Sequence, residues 1–312
     1  MGSCLVGLPA LGPGSLHDRG NCLQAGAVRF GLYLPPFGEF ADPRRVADLA
    51  VTAEQAGWAG LFLWDHMLAV PGLAVADPWT TLAAIAMATR QIRIGALVTP
   101  LSRRRPWTLA RQISTLDHLA GGRLVAGIGL GDDGWKEFSS FGEVVDPRER
   151  GLLLDESLEI LQGLLRGQPV RHRGARYAVD SGPFLPTPVQ DPVPIWAACS
   201  WPNRKPLARA ARLQGCFPIF AGSGQQPLPT AADDLIALRD ELRRLGAPDG
   251  HDLVIRCALH RLDPAGRGAA VATLADSGVT WVLEGFSPRQ AAEQVETVVR
   301  GGPPAGPGGS AS

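Results

Sequence analysis

The stretch GLFLWDHMLAV, residues 60 to 70, sets an acid and an imidazole side by side, Asp65 and His66, directly behind an apolar run. A histidine titrates near neutral pH and can hand a proton to an atom on which charge develops, while a carboxylate can orient its ring and stabilise the charged form. The plainer reading makes Asp65 a turn cap and His66 a packed histidine. Three other segments carry comparable potential. In AGIGLGDDGWKEFSSFG the glycines at 127, 129, 131 and 134 let backbone approach a flat ligand and leave amides free to donate. Asp132 follows the first three of them, as a second acid or as a turn residue. In GALVTPLSRRRPW, Thr99 and Pro100 lead into Arg103, Arg104 and Arg105, at least two of which read as a solvated loop. In CSWPNRKP, Ser200 and the amides opening the next helix, with Arg204 or Lys205 nearby, can hold a phosphate or can form an ordinary cap.

These residues need elements to hold them. VRFGLYL (28–34) reads as a buried strand, and DPRRVADLAVTAEQAG then supplies Asp42 as N-cap, Pro43 at the first helical position and Gly57 as the stop. The rhythm returns through GLFLW, IRIGALV, RLVAGIGL, VPIWAAC, CFPIF, DLVIRCAL and VTWVLEG, each followed by a helical pattern. Eight strands and eight helices result. Nearly continuous apolar strands are expected where both faces of a parallel sheet are covered, and eight βα repeats close a TIM barrel. A doubly wound open sheet is the structural alternative. Residues 167–192 are too long for a simple loop and alternate about Arg173 and Gly174, which predicts a small hairpin insertion after helix 4. In a (β/α)8 barrel the chemistry sits at the C-terminal strand ends, where Asp65 and His66 fall.

Composition narrows the function. Thirty basic residues balance thirty acidic ones, so no net field attracts nucleic acid or an anionic membrane, and a small-molecule ligand is expected. The five cysteines at 4, 22, 199, 216 and 257 form neither a disulfide framework nor a CxxC site, which reads as a reduced, cytoplasmic protein. Residues 1–27 make a poor signal peptide, and no run of about 18 apolar residues could span a bilayer. Rich in Gly, Pro and Ser, 1–27 and 301–312 are expected to be disordered around a single domain at 28–300, the first also reading as an over-extended start. Tryptophans are unusually many, at 64, 79, 107, 135, 196, 201 and 281 among others, and several fall at strand ends where they can wall a pocket for an aromatic ligand, though each singly is more often core than pocket.

With these residues placed, VTPLSRRRPWTLARQISTLDHLAGGRLVAGIGLG followed by EFSSFG resembles the bacterial luciferase-like family of flavin- and deazaflavin-dependent oxidoreductases, over about Arg29 to Arg300. The resemblance implies a TIM barrel with an insertion and a reduced flavin ring across the barrel mouth, donating hydride or activating dioxygen. In the branch that uses the deazaflavin coenzyme F420, an Asp-His pair commonly follows strand 2, here Asp65 and His66. That branch also often carries an acid after the strand 4 glycines, here Asp132. The FMN branch tends to place a phosphate-binding arginine where this chain has Leu130, so F420 is favoured and FMN is the alternative. The family's non-prolyl cis peptide at the end of strand 3 maps to Ala96 and Leu97. Thr99, Gly129, Gly131, Ser200 and Trp201 complete the expected cofactor cradle, and a homodimer is the assembly considered.

Two other functions compete. A metal-dependent barrel hydrolase needs histidines and carboxylates clustered at strand ends. The six histidines, at 17, 66, 118, 172, 251 and 260, give no HxH after strand 1, and no metal is expected. A non-catalytic flavin-binding barrel would keep the fold without the proton donor, and the presence of Asp65 and His66 argues against it.

Overall fold

The computed structural model describes residues 28–220 and 227–304. Four of its helices begin on the same two-residue device: α1 (Pro43–Gln55), α2 (Pro78–Ala88), α4 (Pro147–Leu165) and α7 (Pro264–Asp276) each have proline in the first turn and an aspartate N-cap. Asp42, Asp77, Asp146 and Asp263 each accept a hydrogen bond from an amide of the turn that follows. Proline fixes φ where its missing N–H costs nothing, and the carboxylate satisfies an amide left orphaned by the helix geometry. The remaining helices are α3 (Pro106–Leu119), α5 (Arg204–Ala210), α6 (Ala232–Arg244) and α8 (Ala292–Arg300).

The strands are β1 (Arg29–Leu34), β2 (Gly60–Leu63), β3 (Arg93–Ala96), β4 (Thr99–Pro100), β5 (Ala126–Gly129), β8 (Ile195–Ser200), β9 (Gly215–Ile219), β10 (Asp252–Cys257) and β11 (Trp281–Gly285), all parallel, in the order β3-β2-β1-β11-β10-β9-β8-β5-β4. β3 and β4 are successive segments of one barrel strand: β3 pairs with β2, and β4 pairs with β5. A parallel bridge between Ile94 and Leu124 joins the two ends of the order, so the sheet closes on itself as a TIM barrel. The expected hairpin is present as β6 (Val170–Arg173) against β7 (Ala178–Ser181), antiparallel and apart from the barrel.

Phe62, Trp196, Phe217, Trp281 and Leu283 fill the barrel interior. Such large rings need neighbours without side chains: a Cβ on Gly60 would stand 2.6 Å from Phe62, and one on Gly215 would stand 2.3 Å from Trp196. Trp196 and Trp281 therefore belong to the core, with ring centroids 5.5 Å apart. The cis peptide lies one step later than expected, at Leu97–Val98. The Leu97 amide still donates to the Leu63 carbonyl at 2.8 Å, which keeps the Ala96–Leu97 peptide in the ladder with β2. The expectation for 1–27 lies outside the described residues, as does that for 305–312; residues 301–304 are described and form a turn after α8.

Candidate active site at the C-terminal strand ends

A cavity of about 910 Å3 opens where the strands end, reached by Tyr33 from β1, His66 from the loop after β2, Leu97, Val98 and Pro100 from the broken strand, and Ala198 to Ser200 from β8. Leu97, Val98, Pro100, Leu130 and Ala198 give it an apolar wall, and Arg148, Lys205 and Arg209 give it a cationic side near Ser200. Burial pushes the Tyr33 phenol up, so Tyr33 presents a neutral hydroxyl to this space.

The paired acid of His66 is not its neighbour. His66 Nδ1 lies 2.6 Å from Glu137 Oε2, and the other Glu137 oxygen accepts from the amides of Met67 and, at 3.1 Å, Leu68. Glu137 sits in the loop between β5 and α4, shaped by Asp133, whose carboxylate accepts from the amides of Phe138 at 2.7 Å and Ser139 at 3.1 Å. Lys136, just before it, is the one non-glycine among the described residues with positive φ, at 58°. Burial alone would push the Glu137 carboxyl up, but the hydrogen bond and charge of His66 and the two amides outweigh it, and its pKa lies below the ordinary carboxylate value. Three aromatic rings surround the imidazole: Trp135 at 4.7 Å, Trp64 at 5.8 Å and Phe37 at 5.9 Å between centroids.

Asp65 points elsewhere, which corrects its expected role as the group that orients His66. Its carboxylate accepts from Arg103 at 3.1 Å, from Arg104 at 2.9 Å and 3.0 Å, and from the Trp79 indole at 3.3 Å. Arg103 also reaches the Asp65 carbonyl at 3.0 Å, and its Nη1 stands 3.4 Å from Glu137 Oε1. The two arginine side chains are 5% and 18% exposed, so the expectation of a solvated loop fails for both. Two buried acids and two buried bases neutralise each other there, and removing one member of such a set leaves a bare buried charge.

The structure brings Asp65, His66, Leu97, Gly131, Asp132 and Ser200 into the cavity wall. It leaves Ala96, Thr99, Gly129 and Trp201 out of it. Thr99 is buried and accepts from the Trp79 indole at 3.1 Å; a Cβ on Gly129 would stand 2.5 Å from Val98. That glycine, like Gly127, whose Cβ would stand 2.3 Å from Leu97, makes room for the neighbouring strand and not for a ligand. Gly131 combines φ of 75° with a close approach to Phe138 and Pro100. Asp132 accepts from the Gly134 amide at 2.8 Å, so it forms a turn while facing the cavity. Glu137 and Arg150 went unnoticed in the sequence. Glu137 stands within the EFSSFG segment already singled out, and Arg150, buried on α4, donates to the Gly131 carbonyl at 3.1 Å. Among the described residues no cluster of His, Cys, Asp or Glu could hold a metal ion, and no helix is long and apolar enough to cross a membrane.

Comparison with known proteins agrees with this architecture. The family described as luciferase-like monooxygenase matches residues 24–261. An F420-dependent glucose-6-phosphate dehydrogenase of Nakamurella multipartita is 32% identical over 230 residues, which is 70% of this chain and 63% of that protein, so the chain spans under two thirds of its relative's length. The coenzyme F420-dependent tetrahydromethanopterin reductase of Methanopyrus kandleri superposes with a TM-score of 0.68 at 18% identity, covering 88% of this chain and 98% of that one. The monooxygenase RslO1 of Streptomyces bottropensis superposes with a TM-score of 0.71 at 18% identity, covering 88% and 97%. At these identities the superpositions speak for the shared fold.

Proposed function

Because the chain belongs to the luciferase-like monooxygenase family, we propose that it is a cytoplasmic oxidoreductase that uses coenzyme F420 to act on a small organic carbonyl or imine. The observation that carries the reading is the His66–Glu137 pair on the wall of a cavity large enough for a ring system and a substrate together. The lining suits such a cofactor. Leu97, Val98, Pro100 and Leu130 offer an apolar surface to a flat ring, while Ser200, Lys205 and Arg209 offer hydroxyl and cationic groups to a phosphate. When bound and reduced, a deazaflavin supplies a hydride to the substrate carbon.

The rest of the chemistry falls to side chains. A carbonyl oxygen or imine nitrogen that receives the electron pair needs a proton, and His66 Nε2 supplies it, since Nδ1 is held by Glu137. Glu137 fixes the orientation of the ring for that transfer. Asp65, Arg103 and Arg104 hold the loop that presents His66. Asp132, on the same wall, is a second acid available to the substrate, and a homodimer is the assembly we propose.

Fluorescence-quenching titration of the purified chain with F420 and with FMN tests the cofactor. F420 is expected to bind at least about tenfold more tightly, a difference of about 1.4 kcal/mol. Equal or tighter binding of FMN would replace this reading by a flavin-dependent monooxygenase.

A further inference from the structure

A second cavity of about 960 Å3 lies beside the first, walled by α4, by the β6–β7 hairpin and by the segment from Arg209 to Leu213. Leu152 and Arg209 stand in the walls of both. Arg209 is 6% exposed and its Nε donates to Asp155 Oδ1 at 2.6 Å, so its guanidinium is anchored at the junction.

Charge in the second cavity is one-sided. Arg166, Arg171, Arg173, Arg176, Arg209 and Arg212 line it against Asp155, Glu156 and Glu159. The acids are already engaged. Asp155 is taken by Arg209 and, at 3.6 Å, by Lys205; Glu156 lies 3.0 Å from His172 and accepts from the amides of Arg176 and Tyr177; Glu159 stands 3.7 Å from the same imidazole. Arg176 pairs with Glu149, and Arg171 pairs loosely with Asp180 at 3.5 Å on the open face of the hairpin. Arg166, Arg173 and Arg212, one from each wall, have no ion pair among the described residues. Like charges held around one concavity repel each other, and the focused field attracts an extended anion.

We infer that this arginine-lined groove binds the polycarboxylate tail of a ligand whose ring system occupies the main cavity. The inference rests on the deazaflavin reading: coenzyme F420 continues beyond its phosphodiester into a chain of linked glutamates, whereas FMN ends at its phosphate. A guanidinium fork matches a carboxylate in two parallel hydrogen bonds, and successive carboxylates of such a chain meet cations from the hairpin, from α4 and from the turn after α5. Open ion pairs are individually weak and salt-sensitive, so the tail adds affinity without dominating it.

The test compares F420 carrying its glutamate tail with the form that ends at the phospholactyl group, by fluorescence titration of the full chain. The tailed form is expected to bind about tenfold more tightly at low salt, with the advantage shrinking as salt is added. Combining Arg166→Ala, Arg173→Ala and Arg212→Ala should erase that advantage and leave the tail-less form within about twofold of its wild-type affinity. Arg173→Glu alone should weaken only the tailed form. An advantage that survives the triple substitution overturns the groove assignment, and so does equal binding of the two forms to the wild type, which leaves the deazaflavin reading intact. Failure of both forms to bind removes that reading and this one with it. A free oligoglutamate peptide that binds without competing against tailed F420 would mark a separate anion site and overturn the inference.

Discussion

His66 Nδ1 and Glu137 Oε2 stand 2.6 Å apart although 71 residues separate them along the chain. With Nδ1 committed to a carboxylate, Nε2 is the nitrogen left to exchange a proton with whatever occupies the cavity. In the proposed reaction the work is divided: one side chain transfers the proton and the other fixes its direction.

Replacing His66 by alanine is expected to lower kcat by about 10² or more, the usual size of a general acid-base contribution, while cofactor affinity changes by only a few-fold. Steady-state kinetics alongside fluorescence titration checks both halves. Loss of binding with unchanged single-turnover chemistry would make His66 a contact and not a proton donor.

Glu137→Gln keeps an oxygen for the amides of Met67 and Leu68 but removes the charge beside the imidazole. The expected result is a drop in kcat of about tenfold or more at unchanged cofactor affinity, with partial recovery in Glu137→Asp. A full loss of cofactor binding would show that the loop, and not the proton transfer, depends on the charge.

Asp65→Ala should register first as lost stability. It strands Arg103 and Arg104 in a buried setting, and breaking such a set costs about 3–5 kcal/mol. Asp65→Asn should be milder, with a smaller loss of turnover than His66→Ala. Chemical denaturation monitored by circular dichroism measures the first, and an unchanged midpoint for the alanine variant would contradict the burial argument.

Acid should weaken the fold through Glu54 and Glu137. Burial raises the Glu54 carboxyl, but the amides of Ile92, Gln91 and Arg90 outweigh it, and both carboxyls end below their ordinary value of 4.5. A folded-state pKa below the unfolded one gives stability that is present above pH 4.5 and lost as pH falls through the folded value. Urea midpoints are therefore expected to decline below that pH, less steeply in Glu54→Gln. Parallel declines in wild type and variant would show that Glu54 carries none of the effect.

The barrel was legible because its signals are local: apolar runs for the strands, and Asp-Pro pairs and glycine stops for the helices. The site was half legible. Asp65 and His66 could be placed at a strand end from their position alone, but side chains of neighbouring residues leaving a strand diverge, so one meets arginines and the other meets a glutamate. Nothing periodic links His66 to Glu137, and three successive arginines look solvated until tertiary packing brings a buried acid to them. The cis peptide lies at Leu97–Val98, one residue beyond the place that the family resemblance implied.

Asp65, Arg103, Arg104 and Glu137 come from three loops on one arc of the rim, and none of those loops can lift away without abandoning charges on the other two. That arc should therefore open only as a unit, with the amides of Met67 and Leu68 exchanging their hydrogens together and slowly. Traffic into the barrel is then expected on the adjoining arc, between the first turn of α4 and the ends of β8 and β9. Leu152 and Ile219 stand half exposed there, so arriving molecules first touch an apolar threshold before they meet the cationic side of the cavity.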